Sequence, residues 1–247
     1  MKINEAKCNI INFNFSSTNT PPQNLTLNNN EIISVDRIKL LGVTLTSDLR
    51  WKENTAEIIK KVNKRYYQLC RLKQFGVKQE ERLTTWKVLI WPITEYAAPL
   101  WHTSLLECDK HKLENLQKKA LGLIFGVTYI DYRRYYKING RPVSYEHALK
   151  LCDLTSLAER RENLTTKFAL DMYKNPMHKD FFQSLPDSRP NTRTKPKVHV
   201  PSGSTKRYTK SAIPAFTRII NSKSSWIKFM YIYVYILSYI VRINRRM

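Results

Sequence analysis

Glycine and paired acidic residues are scarce in this sequence. Only 6 of its 247 residues are glycine, and no G-x-G-x-x-G, G-x-S-x-G or phosphate-loop pattern occurs among them. Nucleotide hydrolysis and acyl transfer, which commonly use such patterns, therefore have no support. The eight aspartates are isolated from one another, so the sequence has no Asp-Asp pair to hold two metal ions about 4 Å apart.

Paired cysteines and a secretory signal are also missing. The four cysteines, Cys8, Cys70, Cys108 and Cys152, lie far apart and include no C-x-x-C pair, which favours reduced thiols. Residues 1–14 have no apolar core of the length that a signal peptide needs. We therefore expect an intracellular protein of the nucleus or the cytoplasm.

Positive charge is what the sequence has in excess. It contains 42 Lys and Arg residues against 20 Asp and Glu residues, a formal net charge of +22. Such an excess predicts a polyanionic partner, either RNA or DNA or an anionic membrane surface. The charge is spread along the whole chain rather than confined to one tail, so a basic folded surface is expected.

Short strands are predicted before a long helical region. Residues 8–15, 31–35 and 38–45 resemble strands, and Gly42 within the last one would let another backbone come close. The predicted helices cover residues 52–74, 79–96 with an interruption at Pro92, and 108–125, and two more begin at Ser144 and Ser156. Residues 129–142 are interpreted as a connection rich in tyrosine and arginine.

The predicted fold class is α+β and mainly α, with a small N-terminal antiparallel hairpin followed by a bundle of five helices. The predicted domains are residues 1–50, the bundle at 51–175, an extended proline-rich and basic arm at 176–221, and an apolar and basic tail at 222–247. Gly76 and Gly126 are predicted to end helices, and Ser156 with Glu159 forms a predicted capping box.

Helical spacing also predicts which faces are buried. The apolar arc of the first long helix comprises Ile58, Ile59, Val62, Tyr66, Leu69 and Lys73. The inner side of the helix at 108–125 comprises Leu113, Leu116, Ala120, Leu121 and Ile124. Each of these faces requires a partner surface.

The basic helix faces are the candidate nucleic-acid-binding surface. Lys60, Lys64 and Arg71 form a stripe opposite the apolar arc of the first helix, with Tyr67 beside it. Tyr67 could stack on a base or pack on a sugar; the alternative is that it packs between helices. Further candidates are Lys118 and Lys119 on the helix at 108–125, and Arg160 and Arg161 near the start of the last predicted helix.

Several local patterns occur in an order that resembles a known family. They are KINEAKCNIINF, IKLLGVTL, the helix from Trp51, ITEYAAPLWH, LENLQKKALGLIFG, VSYEHALKLCDLTSLAERRENL and KSAIPAFTRIIN. Together, from residue 1 to about residue 221, they resemble the C-terminal region of a reverse transcriptase of jockey-like non-LTR retrotransposons, the LINE elements. The resemblance implies a residual palm-like hairpin at 1–50 with Leu41 and Gly42 near a primer grip, followed by a thumb-like bundle that holds a template-primer duplex.

The catalytic signature of that family is not found in this sequence. The family holds its metal ions on an aromatic-Ala-Asp-Asp strand, and the resemblance begins just after the point where that strand would occur. Met1 is therefore expected to be an internal start within a longer ancestral frame. We expect no catalytic residue, no cofactor and no polymerase activity in the chain as it stands.

Metal-dependent alternatives have weaker support. Residues 38–104 also resemble the segment at the N-terminus of the eighth AlkB homologue, and such a dioxygenase needs two histidines and a carboxylate on iron. His178, Asp180 and His199 have that composition, but they lie in the proline-rich arm, where a solvated loop is favoured. A zinc site from Cys108, His111, His147 and Cys152 is conceivable, but the spacing of the second pair suits no common finger.

The second function class is a membrane-associated basic protein anchored by residues 226–243. The uncharged run at 229–241 is 13 residues long, whereas a bilayer-spanning helix needs about 20. Its alternation of tyrosine with isoleucine and valine is also what a translated TA/TG repeat would encode. Because Lys60, Lys64, Lys118 and Lys119 lie far from this run, their positions favour nucleic acid over lipid.

Overall fold

The fold is described from a computed structural model. It describes residues 8–13, 25–27, 30–130, 133–184, 198–203 and 205–222. The protein is α+β and mainly α, as predicted. The chain divides into two compact units, one made of residues 1–97 and 105–160 and the other of residues 98–104 and 161–247. This division differs from the predicted domains, which placed residues 51–175 in one bundle.

The N-terminal strands are short and pair in twos. β1 (Asn9–Ile10) runs parallel to β4 (Ile33–Ser34), and β2 (Thr26–Leu27) is antiparallel to β3 (Asn30–Glu31). The predicted strand over residues 8–15 is therefore only two residues long within residues 8–13, and its last two positions lie outside the described residues. Pairs of this size add little stability of their own.

Residues 38–45, predicted as one strand from propensity and as a hairpin from the family resemblance, form an antiparallel hairpin. β5 (Arg37–Leu40) pairs with β6 (Val43–Thr46), and Leu41 and Gly42 form the turn with φ angles of 47° and 83°. Two consecutive positive φ angles are typical of a type I′ turn. The close approach expected at Gly42 is made by a side chain, since the position of a Cβ there would lie 3.4 Å from the ring of Tyr96.

The first long helix begins and ends where the sequence predicted. α1 (Lys52–Gln74) buries Ile58, Val62, Tyr66 and Leu69, but Lys73 is exposed and Ile59 is only half-buried, so those two positions were wrong. The helix ends in a Schellman arrangement at Gly76 (φ 74°), with the N–H of Val77 donating to the carbonyl of Leu72 over 3.0 Å.

The helical segment around Pro92 is interrupted, as expected. α2 (Gln79–Thr85) leads into a π-helical turn (Trp86–Ile90), and α3 (Trp91–Glu95) follows it. Proline removes a backbone donor and conflicts sterically with the preceding turn, so a local widening of the helix is a physical response to Pro92. Trp86 and Ile90 are both buried in this segment.

α5 (Glu107–Phe125) packs against α1 in the first unit. All five residues predicted for its inner side are buried, and the helix ends at Gly126 with a φ angle of 88°. Tyr66 of α1 stacks with Trp86, with ring centroids 6.4 Å apart, and its hydroxyl donates to the carbonyl of Leu116 over 2.6 Å. The hydrogen bond joins α1 to α5, and the stacking joins α1 to the π-helical turn.

The predicted connection at 129–142 lies largely in an antiparallel sheet of three strands. β7 (Val127–Ile130), β8 (Arg133–Ile138) and β9 (Arg141–Val143) pair in chain order. Asn139 and Gly140 form a two-residue turn with φ angles of 50° and 75°. An Asn-Gly pair between alternating residues is a strong hairpin signal, and the sequence interpretation missed it.

The last two predicted helices are present with their caps. α6 (Tyr145–Leu151) begins after Ser144, whose hydroxyl accepts from the N–H of His147 over 3.3 Å. α7 (Leu157–Lys174) begins after Ser156, whose hydroxyl accepts from the N–H of Glu159 over 3.1 Å. The buried cluster beneath the sheet comprises Leu121, Tyr136, Ile138, Ala148, Cys152 and Leu154.

The second unit has a core of its own. It contains α4 (Ala98–Trp101), 3₁₀ turns at His102–Ser104 and Pro176–Phe181, most of α7, α8 (Lys206–Lys210), and a helix, α9, over residues 212–222. Its buried cluster comprises Ala169, Phe182, Val198, Phe216 and Ile220.

The described parts of the predicted arm are not extended. Aromatic contacts connect Phe168 to Phe216 and Tyr173 to Phe182, with ring centroids 5.8 Å and 6.0 Å apart. Scattered apolar residues between the prolines supply this core. The low apolar content of the segment therefore did not mean that it was extended. The predicted tail at 222–247 lies, after its first residue, outside the described residues.

The two hairpin turns allow a test of the contact at Gly42. We expect Gly42→Ala and Gly140→Ala to lower the free energy of unfolding by similar amounts. Both substitutions place a Cβ at positive φ, at a cost of about 1–2 kcal/mol, and the added Cβ at Gly42 makes only an ordinary van der Waals contact with the Tyr96 ring at 3.4 Å. Urea unfolding followed by circular dichroism measures both, and a clearly larger loss at Gly42 would show that the Tyr96 ring has to move.

Candidate nucleic-acid interface

The predicted stripe on α1 is an exposed face of the first unit. Lys60, Lys64, Tyr67 and Arg71 recur at intervals of four, three and four residues, so they lie on one side of the helix along about 16 Å. All four are exposed, and Tyr67 is 68% accessible. The alternative in which Tyr67 packs between helices is therefore wrong.

The positive charge of this stripe is not neutralised by neighbouring side chains in the described part of the chain. No carboxylate forms an ion pair there with Lys60, Lys64 or Arg71. Arg71 instead lies over the ring of Phe75, 4.9 Å from its centroid, and donates to Gln74 over 3.0 Å. Three cations and an exposed aromatic ring are thus available to a polyanion.

The predicted primer-grip-like turn lies beside α1. A cleft of about 340 Å³ has the lining residues Gly42, Asn54, Ile58, Lys61, Pro92, Ile93 and Tyr96. The hydroxyl of Tyr96 donates to the carbonyl of Leu41 over 2.6 Å, and the side-chain oxygen of Asn54 accepts from the N–H of Thr44 over 3.2 Å. These two bonds fix the hairpin to the residue that follows α3 and to α1, and they bring Leu41 and Gly42 close to the helix that carries the stripe.

The lysines predicted on α5 lie over aromatic rings. The ammonium of Lys118 is 4.9 Å from the ring centroid of Tyr145, and that of Lys119 is 4.8 Å from the ring centroid of Tyr66. Lys118 is half-buried, whereas Lys119 is exposed. Cation–π contacts of this kind hold each charge near the protein surface.

Arg160 and Arg161 occupy structural positions. Arg160 is half-buried, forms an ion pair with Glu95 and lies 3.7 Å from the ring centroid of Trp91. Arg161 is fully buried in the second unit, where its Nε donates to Nδ1 of His102 over 3.4 Å. Because a buried guanidinium cannot reach a phosphate, Arg161 is removed from the candidate interface, and the paired Arg160 is not part of the stripe.

A polar network in the first unit determines how α5 is held. The hydroxyl of Tyr145 donates to the carboxylate of Glu114, which also accepts from the backbone N–H groups of Leu157 and Ala158 over 3.4 Å and 3.3 Å. Burial and the bond to Glu114 raise the pKa of Tyr145. Burial raises the pKa of Tyr66 as well.

No metal site or membrane span emerges from the described residues. Within them, no group of three His, Cys, Asp or Glu side chains could hold a metal ion. His178 and Asp180 lie in the 3₁₀ turn Pro176–Phe181, where His178 contacts the ring of Phe181. None of the described helices is long and apolar enough to cross a bilayer.

Sequence reasoning missed one basic surface, which is the outer face of the sheet β7–β8–β9. The signals for it were the Asn-Gly pair at 139 and 140 and the alternation in RRYYKI.

Comparisons with protein-family models, with curated proteins and with solved structures found no match.

The buried tyrosine between α1 and α5 predicts a change of stability with pH. Since the pKa of Tyr66 is raised in the folded state, its contribution is fully present below about pH 10, the ordinary value, and is lost as the pH rises above it. Tyr66→Phe should make the alkaline fall in unfolding free energy shallower by up to about 1.4 kcal/mol per pH unit. At pH 7 the variant should lose about 1 kcal/mol with the hydrogen bond to Leu116.

Urea unfolding of both proteins between pH 8 and pH 11 measures this difference. Tyr67→Phe is the matched control, because Tyr67 is exposed and adjacent in the sequence. Parallel curves for the wild-type protein and Tyr66→Phe above pH 10 would contradict the prediction.

Proposed function

We propose that this chain corresponds to the thumb and downstream region of a reverse transcriptase of a jockey-like non-LTR retrotransposon, and that it binds a template-primer duplex through phosphates. The observation that carries the proposal is the exposed stripe of Lys60, Lys64, Tyr67 and Arg71. A straight stripe about 16 Å long runs past roughly ten phosphate charges of a duplex. Phosphate contacts of this kind set position and affinity without reading sequence.

The hairpin beside α1 supports the same proposal. In the resemblance, this hairpin lies near the primer grip, and in the structure its turn at Leu41 and Gly42 borders a cleft that includes Lys61 of α1. The ammonium group of Lys61 at this cleft could contact the phosphates of a nucleic-acid strand that leaves the duplex. As the sequence has no Asp-Asp pair, the proposed role is binding and not polymerisation.

The salt dependence of binding tests the stripe. The variant Lys60→Ala, Lys64→Ala, Arg71→Ala should bind a 20-base-pair duplex more weakly, and its plot of log affinity against log salt should be flatter by about 0.9 for each phosphate contact that is lost. Fluorescence anisotropy at four salt concentrations gives the slope, and circular dichroism checks that the variant is folded.

A control variant removes the same charge elsewhere in the first unit. Lys73, Lys78 and Lys150 are exposed and lie off the stripe. Their triple alanine variant should keep nearly the wild-type slope. Equal flattening in both variants would mean that only net charge matters, and an unchanged slope in the stripe variant would place the duplex on another face. Anionic vesicles in a parallel titration test the membrane alternative.

Tyr67 should contribute through its ring. We expect Tyr67→Ala to weaken binding to a duplex with a single-stranded overhang by about 1–3 kcal/mol if the ring stacks on a base. Because the side chain is exposed, the unfolding free energy should change by less than about 0.5 kcal/mol. Tyr67→Phe keeps the ring and should bind like the wild-type protein; equal affinity of Tyr67→Ala would exclude stacking.

A further inference from the structure

The sheet β7–β8–β9 has two faces of opposite character. Tyr136 and Ile138 of β8 point into the buried cluster, and Val127 and Val143, the cross-strand neighbours of Tyr136, pack against it. Successive residues of a strand point to opposite sides. The other face is therefore defined by the residues between them, which are Thr128, Ile130, Arg133, Tyr135, Lys137 and Pro142.

This outer face is basic and carries an aromatic ring. Arg133 and Lys137 are exposed, and Tyr135 lies between them on the same strand and is partly exposed. Of the four cations in the three strands, Arg133 and Lys137 lie on this face, whereas the strand alternation places Arg134 and Arg141 on the other side. The strands contain no acidic residue. Within the described residues no carboxylate forms an ion pair with Arg133 or Lys137.

We propose that the outer face of this sheet binds single-stranded nucleic acid, with an unpaired base on Tyr135 and phosphates on Arg133 and Lys137. The two cations are four residues apart on one strand, a distance of about 13 Å, so they can hold the backbone on either side of the stacked base. A base offers its flat surface to an aromatic ring only when it is unpaired, which selects a single strand over a duplex. The inference goes beyond the duplex-binding stripe on α1, and it does not depend on that stripe.

Fluorescence anisotropy on the full-length chain tests this surface with 12-nucleotide uridine and deoxythymidine strands. Tyr135→Ala should weaken binding to both strands by about 5- to 150-fold, the range expected for one stacked base. Tyr135→Phe retains the ring and should stay within about twofold of the wild-type protein. The blunt duplex should bind Tyr135→Ala as it binds the wild-type protein.

The cations are tested separately, so the outcome does not depend on whether Tyr135→Ala folds. Arg133→Ala, Lys137→Ala should flatten the salt plot for the single strands by about 1.4, since each phosphate contact on a single strand contributes about 0.7. The matched control, Lys78→Ala, Lys150→Ala, removes two exposed cations that lie outside the sheet in the same unit, and it should leave the slope unchanged.

The α1 stripe variant distinguishes this proposal from the duplex proposal. When Tyr135→Ala is added to the stripe variant, the affinity for the single strands should still fall. This should hold even if the stripe variant no longer binds duplex. The inference is overturned if folded Tyr135→Ala binds the single strands like the wild-type protein, or if the double cation variant keeps the wild-type slope. It is also overturned if the sheet variants lose binding to duplex or to anionic vesicles as strongly as to the single strands.

Discussion

The fully buried side chain of Gln117 on α5 is the constraint on which the first unit depends. Its oxygen accepts from Nε1 of Trp91 over 3.2 Å, and its nitrogen donates to the carbonyl of Thr155 over 2.9 Å and to the hydroxyl of Tyr145 over 3.3 Å. Buried amides must keep such bonds, because each unsatisfied group costs about 1–3 kcal/mol. One side chain therefore connects α5 to α3, to α6 and to the segment before α7. Glu114, one turn earlier on α5, adds the backbone N–H groups at the start of α7.

Contact with the packed core divides the basic residues into two kinds. Where a cation lies beside an aromatic ring or a carboxylate of the packed core, as Lys118, Lys119 and Arg160 do, part of its charge is already balanced. Arg82 is an extreme case, because it is buried with its guanidinium donating to the carbonyl of Leu123, and burial lowers its pKa. Lys60 and Lys64 of α1, and Arg133 and Lys137 of the outer sheet face, have neither kind of contact among the described residues, whereas Arg71 lies over the ring of Phe75. The surfaces proposed for nucleic acid are therefore those that the core does not use.

Local patterns predicted the helices well because they depend on residues close in the chain. The bounds of α1, the inner residues of α5 and the caps at Gly76, Gly126, Ser144 and Ser156 all follow from spacing and backbone preference. The family resemblance implied a hairpin at Leu41 and Gly42, but strand propensity alone missed it, because leucine is unusual at positive φ and the turn is held there by the distant hydroxyl of Tyr96. The core of the second unit was missed for a similar reason, since Phe182 and Phe216 meet only through the fold.

The sequence by itself determined the mainly helical class, the excess of positive charge and the stripe of Lys60, Lys64, Tyr67 and Arg71, because one helix places residues at three- and four-residue intervals on one side. Tertiary structure alone decided which cations stay available. Arg161 has the same charge as Arg71, yet it is fully buried, whereas Arg71 is exposed. It also decided that a tyrosine- and arginine-rich segment forms a sheet with one buried and one basic face. Accessibility depends on contacts between residues far apart in the chain, and no local pattern contains that information.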